Sequence, residues 1–279
     1  MTYSAEISRS NPTCLLFLID QSASMSDPFG GSDSGKHKAD AVADAVNRLL
    51  QNLVIRGAKA EGVRDYYHVG VIGYGAQVGP AFAGTLAGRD LVPISEVALN
   101  PARVESRAKQ VEDGAGGLVE QTVKFPVWFD PVAENGTPMC QALRRAHAIL
   151  SGWLADHPDC FPPIVINVTD GEANDGNPLE PARALMDLSS SDGHVLLFNL
   201  HLSSQRGTPV EFPDTDDNLA DKYAALLYEM SSKLPDHMLT AANQEGYQVS
   251  GETRGFAFNA DIVAVVKFLD IGTRPSNLR

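Results

Sequence analysis

Three oxygen-bearing side chains alternate along residues 20–24, which read Asp-Gln-Ser-Ala-Ser. In a loop, this alternation can turn Asp20, Ser22 and Ser24 in the same direction. One carboxylate and two hydroxyls suit a hard cation such as Mg²⁺, which prefers oxygen ligands in an octahedral arrangement. Asp and Ser are also common loop residues, so the pattern alone is weak evidence for a metal site.

Two further polar turns offer oxygen ligands. Residues 135–139 read Asn-Gly-Thr-Pro-Met, where Thr137 has an ordinary explanation as a helix cap followed by proline in the first helical position. Residues 169–172 read Thr-Asp-Gly-Glu, where Asp170 has an ordinary explanation as part of an Asp-Gly turn. Each segment taken alone favours its structural explanation, and only their joint placement favours a metal site.

The joint placement depends on the elements that precede these residues. Residues 13–19 and 163–169 are short, continuous apolar runs that predict strands buried on both faces. Asp20 and Asp170 each follow such a strand, so both are expected at the same carboxyl edge of a parallel sheet. Thr137 lies in a strand-to-helix connection that can share this edge. Two neighbouring carboxylates repel each other unless a cation or a proton lies between them.

Strand and helix patterns alternate along most of the chain, which predicts an α/β fold: a doubly wound, mostly parallel central sheet with helices on both faces. Ligands of such sheets bind beyond the carboxyl ends of the strands. Residues 83–124 are less regular and predict a long excursion with a short helical pattern near 101–110 and a Gly-rich patch at 114–117. The predicted strands are 13–19, 68–74, 77–82, 127–129, 163–169, 195–202 and 256–258, and the predicted helices are 39–54, 139–154, 179–188, 218–233 and 261–269.

The composition narrows the choice of partner and compartment. The 279 residues carry a formal net charge of −13, which argues against binding to nucleic acid or to an anionic membrane surface. Cys14, Cys140 and Cys160 form no metal-binding spacing and are expected to be buried thiols in a reducing compartment. The first twelve residues lack the apolar core of a signal peptide. We therefore expect a soluble, cytoplasmic protein without a membrane span.

At this point the chain resembles von Willebrand factor A (VWA) domains that carry a metal-ion-dependent adhesion site (MIDAS). The resemblance rests on D-x-S-x-S after the first strand, on a G-T-P threonine and on a T-D-G aspartate. Since the order of strands and helices also fits, it covers nearly the whole chain as one domain, residues 1–279 with a core at 13–270. It implies that Mg²⁺, or else Mn²⁺ or Ca²⁺, is held, in part through water, by Asp20, Ser22, Ser24, Thr137 and Asp170.

In that family the cation keeps an open position, which an Asp or Glu of a partner protein fills. Residues 125–131, 135–143 and 168–175 are similar to the bacterial TerY-like branch of tellurium-resistance and stress-response systems. That branch implies a PP2C-type phosphatase and a protein kinase as partners. Two alternatives stay open: a VWA partner of a MoxR-type AAA+ ATPase, and a purely structural domain with a vestigial site. Asp20→Ala is expected to abolish ion-dependent binding at little cost in stability, since the site lies at an edge.

An enzymatic function is not expected. The chain has no P-loop, no H-E-x-x-H zinc motif and no G-x-S-x-G nucleophile elbow. Asp20 could be the nucleophile of an aspartate-based phosphohydrolase, but such enzymes need a second Asp two residues on, where this chain has Ser22. The neighbouring loop carboxylates Asp27, Asp33 and Asp175 are expected to be solvated at the surface.

Overall fold

The computed structural model describes residues 3–29, 36–112, 118–202, 209–217, 219, 222–259, 267–268 and 270–271. Within these residues the strands are β1 (Thr13–Asp20), β2 (Ala58–Lys59), β3 (Gly62–Val63), β4 (Tyr67–Tyr74), β5 (Val78–Pro80), β6 (Val92–Pro93), β7 (Arg103–Glu112), β8 (Leu118–Val127), β9 (Ile164–Thr169), β10 (Leu196–His201), β11 (Val210–Glu211) and β12 (Phe256–Phe258). The helices are α1 (Lys38–Gly57), α2 (Ile94–Leu99), α3 (Met139–Asp156), α4 (Leu179–Asp187), α5 (Lys222–Glu229) and α6 (Asp236–Gln244).

The central sheet has the strand order β11-β12-β10-β9-β1-β4-β5 within the described residues, and β6 also pairs with β4. The inner strands β4, β1, β9, β10 and β12 are parallel, whereas β5, β6 and β11 add antiparallel pairs at the margins. Every residue of β1 and β9 is buried. Burial on both faces is what the continuous apolar runs predict, because a parallel sheet is covered by helices on each side.

The two faces of the sheet belong to two separate clusters of buried side chains. Along β1, Leu15 and Phe17 pack in the cluster that also contains residues of α1, α2 and α6. Leu16 and Leu18 point to the other face and join the cluster that contains residues of α3, α4 and α5. This alternation follows from the two-residue period of a strand. The fold class predicted from the sequence, a mostly parallel sheet between two helical layers, is confirmed.

Residues 83–124 are more regular than the sequence predicts, and the helical pattern expected near 101–110 is wrong. Most of residues 101–110 belong to β7, which pairs antiparallel with β8 from Arg103↔Val127 to Glu112↔Leu118. The base of this hairpin is tied to α1, since Arg107 pairs with Asp44 at 2.6 Å and its guanidinium lies over the Phe125 ring. The short helix α2 precedes the hairpin, and the Gly-rich patch at 114–117 lies outside the described residues.

Smaller differences concern three other predicted elements. The helix predicted at 218–233 is observed only as α5, and α6 was not predicted. The strand predicted at 127–129 reduces to the end of β8 and an isolated bridge between Phe82 and Phe129. Most of the helix predicted at 261–269 lies outside the described residues.

Cys14, Cys140 and Cys160 are free, fully buried thiols, as expected. Burial raises the pKa of Cys14 well above its usual range and that of Cys160 to about 12, so these thiols stay protonated. In the part of the chain that the structure describes, no helix combines the length and the apolar character that crossing a bilayer requires.

Candidate metal centre

The two candidate aspartates meet at the carboxyl edge of the sheet. Strands β1 and β9 are parallel neighbours, with Ile19 opposite Val168, so Asp20 lies beside Thr169 and Asp170 begins the adjoining loop. On the other side of β1, Asp20 is opposite Tyr74, the last residue of β4. The parallel pairing thus places the beginnings of two polar loops side by side, as the sequence analysis expected.

Four of the five predicted ligand residues form one chain of hydrogen bonds. The Ser22 amide donates to Asp20 Oδ1 at 2.8 Å, and the Ser22 and Ser24 hydroxyl oxygens are 3.1 Å apart. The Ser24 hydroxyl then donates to Asp170 Oδ1 at 2.8 Å. Side chains from two loops that are 146 residues apart are therefore in direct contact. The structure brings Asp20, Ser22, Ser24 and Asp170 together.

The fifth residue, Thr137, is held at the same edge through its backbone. The amide of Ala23 donates to Asn135 O at 2.9 Å, and the amide of Asn174 donates to Thr137 O at 3.0 Å. The connection before α3 is thus joined to both polar loops. A Cβ atom on Gly136 would lie 2.1 Å from Asn174 Nδ2, so a larger residue at this position would have to displace the end of the Asn174 side chain. Thr137 itself is buried.

Asp20 is buried more deeply than its position at an edge suggested. Its exposure is 1%, and its Oδ2 accepts a 2.7 Å hydrogen bond from the Thr169 hydroxyl. The pKa of Asp20 is raised from the ordinary 3.8 to about 6, mainly because burial opposes the charged form. Its hydrogen bonds lower the pKa, and the charge of Asp170 adds a smaller contribution that raises it. The expectation that Asp20→Ala costs little stability is therefore wrong in its premise, because alanine would leave the Ser22 amide and the Thr169 hydroxyl without this acceptor.

A lysine that the sequence analysis did not consider completes the electrostatics of the site. Lys38 Nζ lies 2.7 Å from Asp170 Oδ2, and both side chains are 1% exposed. Lys38 is the first residue of α1, and its position in the sequence resembles that of any solvated lysine at a helix start. The only available signal was its closeness to the D-x-S-x-S loop, which does not distinguish a buried lysine from an exposed one.

The loop carboxylates near the site behave differently from one another. Asp27 is an exposed surface residue, as expected, with its Oδ2 3.7 Å from Lys38 Nζ. Asp33 lies outside the described residues. Asp175 is partly exposed at the surface, but its carboxylate also accepts hydrogen bonds from the amides of Cys140 at 3.0 Å and Gln141 at 2.9 Å, which the sequence does not predict. It caps the amino terminus of α3 from another loop, which anchors the loop after β9 next to Thr137.

Below the site, a row of buried polar side chains crosses the sheet. The Tyr74 hydroxyl donates to Asn167 Oδ1 at 2.7 Å, and Asn167 Nδ2 donates to Asn199 Oδ1 at 2.9 Å. Asn199 Nδ2 continues to the Ser231 hydroxyl at 3.0 Å. Burial, and then the charge of Asp20, raise the pKa of Tyr74 well above its usual range, so its hydroxyl remains a donor. The sequence signal was a single asparagine within each of two apolar strands.

The donor set fits a hard divalent cation. Two carboxylates and three hydroxyl residues provide oxygen atoms only, which is the chemistry that Mg²⁺ and Mn²⁺ accept. Within the described residues, no three His, Cys, Asp or Glu side chains are grouped closely enough to hold a metal ion. The candidate site therefore depends on its hydroxyl groups as well as its two carboxylates. The buried charge of Asp20, which its surroundings disfavour, is a further feature that a bound cation would offset.

Comparisons with known proteins yield remote likenesses. No protein-family model and no curated protein matches this sequence. The chain is similar to the manganese-loaded TRAP protein of Plasmodium vivax, at 14% identity over 95% of this chain and 76% of that one, with a TM-score of 0.38. It is also similar to the PilB minor pilin of Streptococcus sanguinis, at 10% identity over 94% and 60% of the two chains, with a TM-score of 0.45.

Two structures of the type V pili tip protein Mfa5 of Porphyromonas gingivalis are further neighbours. The vWF domain of Mfa5 is 15% identical over 58% of this chain, with a TM-score of 0.32. This chain spans only 39% of that structure and 20% of the structure of three amino-terminal Mfa5 domains. Likenesses this distant say nothing about the activity or the partner of the present chain.

Proposed function

We propose that this chain is a VWA-type protein-binding domain that holds a divalent cation at a MIDAS and uses it to capture an acidic residue of a partner protein. The ion would be Mg²⁺ or Mn²⁺, and the residues that would hold it are Asp20, Ser22, Ser24, Thr137 and Asp170. The observation that carries the proposal is the hydrogen-bonded chain from Asp20 to Asp170 at the carboxyl edge of the sheet.

The chemistry of the residues suits binding rather than catalysis. A bound divalent cation would supply a Lewis-acidic position that accepts a carboxylate oxygen. Asp20 and Asp170 provide negative charge, whereas the three hydroxyl residues are neutral ligands that leave the ion partly electrophilic. Both Asp20 oxygens already accept hydrogen bonds, from the Ser22 amide and the Thr169 hydroxyl. The chain has Ser22 where an aspartate-based phosphohydrolase needs a second acid, which disfavours a nucleophilic role for Asp20.

A cleft beside the site offers room for a partner. It has a volume of about 430 Å³ and lies between the loop after β9 and α5, with Gly171, Glu172, Tyr223 and Leu226 among the residues that line it. Gly171 directly follows Asp170, so a segment that binds the ion could extend into this cleft. The lining combines an apolar part with charged Glu172 and Lys222 at its margin, which suits a peptide segment.

Our proposal for the cellular system and the partner proteins rests on the sequence similarity to the TerY-like branch. We propose a cytoplasmic adaptor of a bacterial stress-response system, with a PP2C-type phosphatase and a protein kinase as partners. Affinity purification of the tagged chain from its own host, with Mg²⁺ and with chelator, tests this assignment. Recovery of those two enzymes only with Mg²⁺ is the expected result, and recovery of a MoxR-type ATPase in their place would contradict it.

Calorimetric titration of metal-free protein with Mg²⁺ and Mn²⁺ tests the metal centre. We expect one ion per chain for the wild type, no measurable binding for Asp20→Asn, and binding weakened about tenfold for Ser24→Ala. Asp156→Asn is the matched control, since Asp156 is an exposed carboxylate at the end of α3 that is remote from the site. No binding by the wild type at millimolar ion concentrations would refute the metal centre, and so would full binding by Asp20→Asn.

A further inference from the structure

Lys38 occupies a position that is unfavourable for a cation. It is the first residue of α1, where the helix dipole favours negative charge. Its side chain is 1% exposed, and burying an ammonium group costs several kcal/mol unless it is paired. A solvated lysine would suit the start of α1 better, so the buried conformation must be stabilised by contacts that only this location supplies.

Those contacts come from the candidate metal centre itself. Lys38 Nζ is 2.7 Å from Asp170 Oδ2, 3.5 Å from Ser24 O and 3.7 Å from Asp27 Oδ2. The other oxygen of Asp170 accepts the hydrogen bond from Ser24. Both oxygens of Asp170 are therefore engaged, one by a hydroxyl of the ligand set and one by the ammonium. Asp27 is the weakest of these contacts, because its half-exposed side chain is screened by water.

We propose that Lys38 is an internal counter-ion to Asp170 that keeps the metal-free protein folded and lowers the affinity of the free site for a divalent cation. This inference rests on the proposed metal centre. With Asp20 and Asp170 ionised, the ammonium leaves the buried part of the site with a single net negative charge. A divalent cation then brings an excess positive charge, which one carboxylate from a partner neutralises. Lys38 thereby makes firm retention of the ion depend on an acidic partner residue.

The alternative is a purely structural lysine, and the two roles differ in their effect on metal affinity. Removing a neighbouring positive charge strengthens the attraction between the site and a divalent ion, because Coulomb repulsion over a few ångströms is only partly screened in a buried site. Removing a structural contact weakens the site or leaves metal affinity unchanged. Lys38→Met keeps most of the apolar stem while it removes the charge.

Calorimetry with Mg²⁺ and with Mn²⁺, on the whole chain, compares the wild type with Lys38→Met. We expect Lys38→Met to bind each ion at least about tenfold more tightly. Its melting temperature should also rise more than that of the wild type when Mg²⁺ is added. Lys36→Met is the matched control, since Lys36 lies two residues away and pairs with Asp44 rather than with the site. This control should bind the ions as the wild type does.

The remaining outcomes distinguish a failure of the proposed role of Lys38 from a failure of the proposed metal centre. Equal or weaker binding by Lys38→Met, with normal binding by the wild type, overturns the role of Lys38 and leaves the metal centre intact. Absence of binding in all three proteins overturns the metal centre itself. If Lys38→Met is unfolded without metal, the expected result is that Mg²⁺ restores its far-ultraviolet circular dichroism. Failure of Mg²⁺ to restore folding overturns the inference, because the ion then does not replace the ammonium.

Discussion

Asp20→Asn should make the metal-free protein more stable at neutral pH, although it removes a proposed metal ligand. The Asp20 carboxylate is buried, and its pKa is raised to about 6 mainly because burial opposes its charge. Asparagine has nearly the same shape and carries no charge. The Oδ1 of the asparagine can still accept a hydrogen bond from the Ser22 amide. Its Nδ2 can donate to the Thr169 hydroxyl, which in the wild type is itself the donor to Asp20.

The size and the sign of this difference in stability follow from the pKa of Asp20. A rise from 3.8 to about 6 corresponds to roughly 3 kcal/mol against the ionised form in the folded state. The penalty is complete above about pH 6, where both folded and unfolded chains carry the charge. It disappears as the pH falls through that value towards 3.8, since the folded chain binds the proton first. After a loss for imperfect hydrogen bonding, we expect a net gain of roughly 1–3 kcal/mol for Asp20→Asn.

The measurement is chemical denaturation of both proteins in chelator at several pH values between neutrality and pH 4.5. The difference in free energy of unfolding should favour Asp20→Asn at neutral pH and shrink as the solution becomes acidic. Saturating Mg²⁺ should reverse the order, because only the wild type gains binding energy, about 4.1 kcal/mol at an ion concentration one thousand times the dissociation constant. The comparison between variants removes the contributions of other titrating groups.

Two results would refute this reasoning. One is a metal-free Asp20→Asn protein that is less stable than the wild type at neutral pH, which would mean that the hydrogen bonds of the carboxylate outweigh its desolvation. The other is a difference between the two proteins that does not change with pH. A difference that Mg²⁺ leaves unaltered would speak against Asp20 as a ligand, while the electrostatic argument for the metal-free protein would stand.

Three further substitutions probe the framework of the site. Asn47→Leu should cost roughly 2–4 kcal/mol in urea denaturation, because Asn47 in α1 bonds two amides and a carbonyl of residues 128–129, besides the carbonyl of Ala43. Asp175→Ala should cost about 1–2 kcal/mol in thermal denaturation, because it removes the acceptor for two amides at the start of α3. Gly136→Ala should weaken Mg²⁺ binding in calorimetry with a smaller effect on stability, because the added methyl group would displace the Asn174 side chain next to the loop that carries Thr137. Unchanged values in these assays would show that the contacts do not form in solution.

Much of the fold could be predicted because its signals are local and strong. The runs before Asp20 and Asp170 are short and mostly apolar, with Asn167 as a polar exception within the second, as fully buried strands require. The apolar positions of α1 and α3 recur at three- and four-residue steps, and these positions are the buried ones. The hairpin of β7 and β8 lacked any such signal, since Val104 and Val119 are exposed and charged residues alternate with small ones. Its buried apolar side chains, Phe125 and Val127, lie near the base of the hairpin, so a two-residue hydrophobic period covers only the last part of β8.

The ligand residues were predictable for the same reason, and their surroundings were not. Asp20 and Asp170 directly follow recognisable strands, so topology alone places them at one edge. Lys38 contacts a residue 132 positions away, and nothing around it in the sequence records that contact. The cap that Asp175 provides for α3 likewise joins two loops 35 residues apart. Such pairings depend on how the loops pack once the sheet has formed, which local patterns do not contain.

The buried polar row below the site holds three strands of the sheet in register, among them β9, which ends next to Asp170. Tyr74, Asn167 and Asn199 stand on β4, β9 and β10 and bond to one another across the face that α3 and α5 cover. A slip of one residue in any of these strands would turn its member to the other face and leave two buried polar groups unpaired, at a cost of about 1–3 kcal/mol for each group. Apolar residues alone would penalise such a slip less, because β9 is apolar on both faces. The network therefore fixes β4, β9 and β10 relative to one another, and through β9 the level at which Asp170 leaves the sheet.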